Sequence, residues 1–95
     1  MNLDGMDIYF EISNKDILVD FLLAEGYNDF YYFPCKRYGA GAFLVSAQEQ
    51  VSARAEFGMF RLFLEREQVI VLAESIKNQL MGKTIRMYTY GVSEL

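Results

Sequence analysis

The side chains best suited to ligand chemistry lie in one short stretch near the middle of the chain. Lys36 and Arg37 supply two cations, and the Gly39-Ala40-Gly41 turn that follows them leaves backbone N–H groups accessible. Small residues beside paired cations favour the binding of an anion, because exposed N–H groups and positive charge both stabilise it. The stretch matches neither the dinucleotide-binding fingerprint nor the P-loop, so simple loop flexibility is the competing interpretation.

Catalytic constellations of the common kinds are missing from the sequence. The chain has no histidine, which excludes Ser-His-Asp and Cys-His arrangements and the usual zinc sites in their standard forms. Paired carboxylates such as Glu65 and Glu67 could still exchange protons, but their positions favour solvated surface. The sequence therefore predicts no catalytic residues and a protein that is not an enzyme. An enzyme that uses only carboxylates, lysines or tyrosines is the weakest alternative.

The soft metal ligands are a lone cysteine and scattered methionines. Cys35 has no second cysteine to complete a site, and methionines such as Met59 fall at core spacing. Structural roles are therefore favoured, and no metal ligand is predicted. The alternative is that symmetry gathers copies of Cys35 from identical subunits, which would make the protein a metal-binding or heavy-metal tolerance accessory protein.

Composition bounds the size and the partners of the protein. The 95 residues, 53% of them hydrophobic, fit a single domain over 1–95. The formal net charge of −4 offers no basic surface for nucleic acid. Apolar runs such as 69–73 fall far short of the ~20 residues that cross a bilayer, so no membrane insertion is expected. The start of the chain lacks the basic and apolar regions of a signal peptide, which favours a cytoplasmic location.

Hydrophobic periodicity predicts four strands and two helices. In order, these are a strand at 6–12, a helix at 14–25, a strand at 29–37, a strand at 53–65, a helix at 67–81 and a strand at 84–90. Ser13 and Asn14 are expected to cap the first helix. Gly26 and Gly82 should end the two helices, and Pro34 suits an edge strand. The order β-α-β-β-α-β is that of the ferredoxin-like βαββαβ sandwich, an α+β fold with two helices on one face of a four-stranded antiparallel sheet.

The stretch from 38 to 51 breaks this periodicity and is predicted to be a long loop. Loops of this length inside a compact domain are usually functional or disordered. Within it, Ser46 and Glu49 have the spacing of a capping box, which would start one or two helical turns. The competing prediction is a full helix over 43–55.

The sheet face away from the helices is predicted to be apolar. The central strand at 53–65 carries large apolar residues on both sides, and Tyr9, Tyr88 and Tyr90 would join it from the neighbouring strands. A wet patch of that size is unusual for a monomer. Residues 91–95 are too few to cover it, so we expect burial against other copies of the chain in a symmetric oligomer.

This arrangement resembles the P-II-like (GlnB/CutA) superfamily, whose members are ferredoxin-like trimers with a long mobile loop between the second and third strands. The run Glu49-Gln50-Val51-Ser52-Ala53-Arg54 is similar to the Glu-Gln-Val-x-Gly-Arg signature of a small bacterial family of unknown function in that superfamily. Ala53 replaces the signature glycine, and Gly39-Ala40-Gly41 stands where that family tends to have Gly-His-Gly. The missing histidine weakens the metal-sensing role that the family's association with heavy-metal efflux genes would imply.

The resemblance implies a homotrimeric regulatory protein that binds a small ligand in clefts between subunits. The loop at 38–51 would change order and contact a partner protein such as a transporter. The predicted ligand-binding residues are Lys36, Arg37, Tyr38, Gly39, Gly41, Gln50 and Arg54. The stretch 81–84 is shorter than the Gly-rich nucleotide-binding stretch of the nitrogen-regulatory members, which argues against ATP binding of their kind, although Lys83 and Arg86 could contact an anion. No cofactor is named by the residues or by the resemblance.

Overall fold

The computed structural model describes residues 2–38 and 54–95, which fold into two helices on one side of a four-stranded antiparallel sheet. The elements are β1 (Asn2–Glu11), α1 (Lys15–Ala24), β2 (Tyr31–Tyr38), β3 (Arg54–Leu64), α2 (Arg66–Gln79) and β4 (Ile85–Ser93). A 3₁₀ turn at Ile12–Asn14 connects β1 to α1. The predicted β-α-β-β-α-β order and the ferredoxin-like α+β sandwich are confirmed.

The strands lie in the order β2-β3-β1-β4, so β3 and β1 are central and β2 and β4 form the edges. β3 carries apolar side chains on both faces, as expected of a strand in the middle of a covered sheet. Pro34 lies in β2 opposite Gly58. An edge strand tolerates proline, because one side of the strand needs no N–H donor for pairing. The predicted edge position of β2 and central position of β3 are both confirmed.

The hydrophobic core lies between the sheet and the helices. Alternate β1 residues, Met6, Ile8 and Phe10, point toward the helices and are at most 1% exposed. They pack against the buried residues of β3, α1 and α2, which include Phe60, Leu62, Leu18, Leu22, Val69, Leu72 and Ile76. Full burial of each such side chain stabilises the fold by about 1.5–3 kcal/mol. It follows that the odd-numbered residues of β1 lie on the face without helices.

Each helix is followed by the glycine that the sequence marks, but α2 ends at Gln79, two residues before the predicted end at position 81. Gly26 has a φ of 91° and Gly82 a φ of 89°, in the left-handed region that glycine enters without a steric penalty. After α1, the Gly26 N–H donates to the Leu23 carbonyl at 3.1 Å, and the Tyr27 N–H donates to the Leu22 carbonyl at 2.9 Å. These two hydrogen bonds form a Schellman motif, which satisfies carbonyls at the end of the helix.

The start of α1 differs from the prediction. Asn14 occupies the N-cap position, but its side chain makes no capping hydrogen bond. Its φ of −96° and ψ of 3° are not the extended values that side-chain capping requires, because the 3₁₀ turn leads directly into the helix. The predicted cap by Asn14 is therefore wrong.

Strand bounds differ from the prediction where pairing continues beyond the apolar alternation. β1 begins at Asn2 rather than at position 6, because Asn2 and Leu3 pair with β4, and the residues from Asp4 onward pair with both β3 and β4. β4 continues to Ser93, which pairs with Asn2. Tyr38, predicted to begin the loop, is instead the last residue of β2 and pairs with Arg54.

The rest of the predicted loop, 39–51, lies outside the described residues, as do Ser46 and Glu49 of the capping box. The competing helix at 43–55 is wrong in its last two residues, because Arg54 and Ala55 belong to β3. Within 2–38 and 54–95, no helix has both the length and the apolar character needed to cross a membrane.

Candidate functional site

The face of the sheet without helices, here called the open face, is rich in large apolar side chains. They come from alternate positions of all four strands and are Tyr9, Tyr31, Phe33, Phe57, Met59, Phe63, Tyr88 and Tyr90. Tyr31 is 58% exposed, Tyr88 is 53% exposed and Phe33 is 43% exposed. The predicted apolar character of this face is confirmed, and the three tyrosines expected on it from β1 and β4 are there.

A groove of about 460 Å³ crosses the open face at the end of β2 that leads toward residue 39. It is called the sheet-face groove below. Its lining comprises Asp7, Tyr9, Cys35, Lys36, Arg37, Phe57, Arg86, Tyr88 and Tyr90. All four strands contribute to this lining, so the groove exists only in the folded sheet.

Two arginines flank an aromatic floor in this groove. Arg37 on β2 places its guanidinium carbon 5.6 Å from the ring centroid of Phe57. Arg86 on β4 pairs in register with Tyr9, whose ring meets that of Tyr88 edge-on at 5.8 Å. Because β2 and β4 are opposite edges of the sheet, the two cations approach the floor from two sides. Aromatic rings with flanking cations suit a small anionic ligand that has a flat apolar part.

The two adjacent cations predicted from the sequence both line the groove, but their side chains leave β2 on opposite sides. Lys36 points to the helix side, where its Nζ lies 2.6 Å from Glu56 Oε1. Both partners of that ion pair are well exposed, so it contributes little to stability. Of the two cations, only Arg37 places its charged group on the open face, over the ring of Phe57.

Tyr38 and Arg54 meet as register partners where β2 ends and β3 begins. Both are therefore at the end of the sheet where the groove lies. Gly39, Gly41 and Gln50 lie outside the described residues. Ligand binding by these five residues stays a prediction.

A polar network lies at the centre of the open face, and sequence reasoning missed it. Asp7 on β1 is only 6% exposed although α1 and α2 both lie on the opposite face of the sheet. Arg61 on β3 donates from Nε to Asp7 Oδ1 at 2.9 Å and from Nη2 to Asp7 Oδ2 at 3.0 Å. The Tyr90 hydroxyl donates to Asp7 Oδ1 at 2.8 Å. The buried carboxylate is thus fully compensated, as burial of a charge requires.

Aromatic rings hold Arg61 in place on both sides. Its guanidinium carbon lies 5.5 Å from the ring centroid of Phe33 and 6.0 Å from that of Tyr90. The sequence signal for this site was a charged residue inside each of the two central strands. Asp7 and Arg61 are register partners, and only the pairing of β1 with β3 brings them together.

The network shifts the pKa values of its members in directions that favour the ion pair. Hydrogen bonds from Arg61 hold the pKa of Asp7 below its ordinary value, against the opposing effect of burial. The same hydrogen bonds raise the pKa of Arg61. Burial, followed by the hydrogen bond to Asp7, raises the pKa of Tyr90. At neutral pH, Asp7 and Arg61 are therefore charged and Tyr90 is protonated.

Gly5 gives Tyr90 the room to reach Asp7. Gly5 and Tyr90 are register partners on β1 and β4, and the Tyr90 ring lies across β1 over the glycine. A Cβ atom at position 5 would come within 2.6 Å of Tyr90 Cζ, which is closer than carbon atoms approach in proteins. The hydrogen bond between Tyr90 and Asp7 therefore depends on a glycine one strand away.

Cys35 borders the groove in an apolar environment. It is half-buried against Ala55 and Phe57, and burial raises the pKa of its thiol. A protonated thiol is a weaker metal ligand and nucleophile than a thiolate. Residues 2–38 and 54–95 contain no group of three His, Cys, Asp or Glu side chains placed to hold a metal ion.

One protein family matches nearly the whole chain. The family is described as "Protein of unknown function (DUF3240)", and its model matches residues 3–95, from the first strand to the end of the chain. The chain belongs to this family. Among curated proteins, none matches the sequence.

Solved structures of PII-like proteins share the fold of this family member. A PII-like signaling protein (TTHA0516) from Thermus thermophilus has a TM-score of 0.70 at 13% identity, over 97% of this chain and 88% of its own. CPII, a nitrogen regulatory PII-like protein from Thiomonas intermedia bound to ADP, AMP and bicarbonate, has a TM-score of 0.69 at 14% identity, over 100% and 97%. The apo form of CPII also has a TM-score of 0.69. Identities this low show a common fold, and the predicted PII-like resemblance is confirmed at that level.

Proposed function

We propose that this DUF3240 protein is a small cytoplasmic PII-like regulator that binds an anionic ligand in the clefts between three identical subunits. Residues 38–51 contact a partner protein, such as a transporter, and ligand binding alters that contact. The protein carries out no reaction of its own. Its output is a change in association with the partner.

The position of the sheet-face groove carries this proposal. The groove opens on a face that needs a cover, and it lies beside the point where β2 leads into residues 39–53. A ligand held by Arg37 and Arg86 would therefore sit next to the segment that is proposed to contact the partner. A ligand that touches such a segment in one of its conformations and not in another shifts the balance between them.

The similar folds support a nucleotide or bicarbonate as the first ligand to examine. CPII was solved with ADP, AMP and bicarbonate, and TTHA0516 is described as a signaling protein. In this chain, the flanking arginines suit a phosphate or carbonate group, and the aromatic floor suits a flat base. The aromatic rings alone would accept many apolar molecules, so the arginines set the preference for an anion.

Assembly completes the site in this proposal. Within residues 2–38 and 54–95 of one protomer, the groove has a floor and two flanking cations but no wall opposite the sheet. A second copy placed over the open face would provide that wall and cover the exposed aromatic rings. Closed cyclic symmetry then gives each subunit the same cleft.

Native mass spectrometry and isothermal titration calorimetry of the purified protein test this function directly. We expect an assembly of about 33 kDa, three times the 11.0 kDa chain, and saturable binding of AMP, ADP or bicarbonate. A stable monomer would contradict the trimer. Failure of all three compounds to bind at millimolar concentration would contradict the proposed ligand class.

Arginine variants locate the ligand. Arg37→Ala and Arg86→Ala should each weaken ligand binding by about tenfold or more, because a hydrogen bond to a charged group is worth about 1.5–3 kcal/mol. Arg66→Ala is the matched control, since Arg66 is exposed and lies on α2, away from the groove. Equal affinity in all three variants would place the ligand elsewhere.

Deletion of residues 41–46 tests whether partner binding can be lost while the subunits still assemble. The shortened chain should keep its subunit number and lose its partner. Affinity capture with the wild-type chain, compared with the deletion, measures this difference. A partner that binds both chains equally would show that residues 38–51 are not the contact.

A further inference from the structure

The network at the centre of the open face leaves Arg61 with donors to spare. A guanidinium carries five N–H donors, and two of those on Arg61 bind Asp7. The Arg61 side chain is 36% exposed, and the rings of Phe33 and Tyr90 flank it. Three N–H donors are therefore held at the open face without being committed to Asp7.

Pairing with Asp7 also prepares Arg61 for burial by another molecule. Asp7 is already almost inaccessible to water, so covering the pair costs little further desolvation of the carboxylate. An unpaired arginine would repel the same arginine of a symmetry-related copy, whereas a neutral ion pair does not. Arginine surrounded by aromatic side chains is also the typical composition of an interface centre.

The size of the open face fits a second copy of this chain better than a small molecule. Four strands about 4.8 Å apart, with about eight residues each at 3.4 Å per residue, span roughly 19 by 27 Å, or about 500 Å² in projection. A standard protein interface covers about 800 Å² of accessible surface on each partner, and accessible area exceeds projected area on a rough surface. A small ligand in the sheet-face groove would leave most of this face wet.

The open face also carries the acceptors that Arg61 needs. Tyr31 and Tyr88 occupy the edge strands in the same register row as Arg61 and Asp7. Tyr9 lies two residues along β1 from Asp7. Each of these hydroxyl oxygens can accept a hydrogen bond. The face is thus chemically complementary to another copy of itself.

We infer that Arg61 is the central recognition residue of an interface between open faces, where its uncommitted N–H donors bind hydroxyl or carbonyl oxygens of a second copy of this chain. Asp7 and Tyr90 position Arg61, and Gly5 leaves space for the Tyr90 ring. The inference rests on the subunit assembly of the proposed function and goes beyond it. It assigns the specificity of association to a polar network instead of to apolar contact alone.

The double variant Asp7→Leu/Arg61→Met separates these two explanations. It removes both charges, keeps the net charge and leaves an apolar centre of similar volume. Such a replacement usually preserves or improves folding, and it would strengthen an interface held by apolar contact alone. If Arg61 is the recognition residue, the concentration at which the assembly dissociates should rise about 30-fold or more, the effect of a hot-spot residue. Native mass spectrometry and sedimentation over a dilution series measure that concentration, and circular dichroism checks folding.

Asp4→Leu/Arg66→Met is the matched control. Asp4 on β1 and Arg66 on α2 also form an ion pair, with Arg66 Nε 3.4 Å from Asp4 Oδ2, and Arg66 does not lie on the open face. This variant makes the same change of charge and should dissociate at the wild-type concentration. Arg61→Lys is the second test variant, because it keeps the charge but loses the planar fork of donors. It should also weaken assembly.

The outcomes distinguish this inference from the proposed function. A wild-type assembly that Asp7→Leu/Arg61→Met leaves equally stable would overturn the role of Arg61 and leave the proposed regulator intact. A wild-type monomer would overturn both. If the double variant does not fold, Arg61→Lys decides, and an Arg61→Lys assembly as stable as the wild type would overturn the inference.

Discussion

The two faces of one sheet bury their side chains in different ways. On the helix side, Met6, Ile8 and Phe10 of β1 and Phe60 and Leu62 of β3 are apolar and inaccessible, and α1 and α2 complete the core within a single chain. On the open face, the same strands place the Asp7–Arg61 ion pair at the centre and exposed aromatic rings around it. The comparison teaches that apolar content does not separate a core from an interface. The position of the charged residues distinguishes the two, because a core excludes charged side chains and an interface uses them for specificity.

Two glycines show the same difference between the helix side and the open face. Gly58 lies on the helix side, where the ring of Phe10 crosses β3, and Gly5 lies on the open face, where the ring of Tyr90 crosses β1. Phe10 is fully buried, whereas Tyr90 is 37% exposed. The helix side therefore holds its ring rigidly, and the open face holds its ring through a hydrogen bond.

The largest expected effect contrasts two phenylalanines on opposite faces of β3. Phe60 is 1% exposed and its ring centroid lies 4.6 Å from that of Phe10, whereas Phe63 is 43% exposed on the open face. Phe60→Ala should lower the free energy of unfolding by about 3–5 kcal/mol, because it leaves a cavity in the core. Phe63→Ala should cost less than about 1 kcal/mol at protein concentrations where subunits are separate, and should weaken assembly instead. Urea denaturation at several protein concentrations measures both, and equal losses would erase the distinction between the faces.

Substitution of Gly58 or Gly5 by alanine gives the second-largest expected loss of stability. Gly58→Ala should lower the free energy of unfolding by about 2–3 kcal/mol, because its Cβ would lie within 2.7 Å of Phe10 Cζ and that ring has no space to move. Gly5→Ala should cost about 1 kcal/mol, since the Tyr90 ring can swing toward solvent at the loss of its hydrogen bond. Gly91→Ala is the control, because a Cβ there meets nothing within 4 Å. A Gly5→Ala variant that loses more stability than Gly58→Ala would reverse the proposed order of rigidity.

The pH dependence of stability sharpens the role of Asp7. Its pKa in the folded protein is below the ordinary value of 3.8, chiefly because Arg61 hydrogen-bonds to it. The ion pair therefore stabilises the fold fully above that ordinary pKa and loses its contribution as the pH falls through the lower, folded-state pKa. Asp7→Asn should be less stable than the wild type at neutral pH by about 1 kcal/mol. Thermal unfolding from about pH 7 to about pH 2 should show the two curves converging in acid, and a constant gap would contradict the ion-pair explanation.

The smallest expected effect is a change in the alkylation rate of Cys35, without a change in the free energy of unfolding. Cys35 lies beside the sheet-face groove, and burial raises the pKa of its thiol, so alkylation by iodoacetamide should be slow at neutral pH. In Asp7→Leu/Arg61→Met, whose open face is expected to be uncovered, the rate should increase severalfold. The urea-unfolded chain provides the reference rate. Identical rates in the assembled and dissociated proteins would show that assembly does not cover Cys35.

Much of the fold could be predicted because local physical chemistry specifies it. Gly26 and Gly82 form the turns after the helices because no other residue adopts their backbone so readily, and Pro34 lies at an edge because it lacks a donor. The Asn14 cap was wrong because a 3₁₀ turn changed the local backbone. The early start of β1 at Asn2 was not visible because pairing with β4, joined by β3 from Asp4 onward, extends the strand beyond its apolar alternation.

For the sheet-face groove, the sequence predicted individual residues but not how they come together. The sequence indicates cations at Lys36 and Arg37, and alternation in a strand implies that they face opposite sides. Which of them faces the groove depends on which side of the sheet the helices cover, since that choice places Arg37 with Phe57 and sends Lys36 toward Glu56. That Arg37 and Arg86 line one groove from opposite edges of the sheet follows from the strand order and the strand register together.

The amino-acid pattern alone sets the element types, their order, the glycine turns after the helices and the apolar character of both sheet faces, because these depend on neighbours within a few positions of each other. Tertiary structure alone decides that Asp7 meets Arg61 and Tyr90, which lie 54 and 83 positions away along the chain. A shift of one residue in the pairing of β1 with β3 would place Asp7 and Arg61 on opposite faces of the sheet. The register, and not the composition, therefore creates the polar centre of the open face.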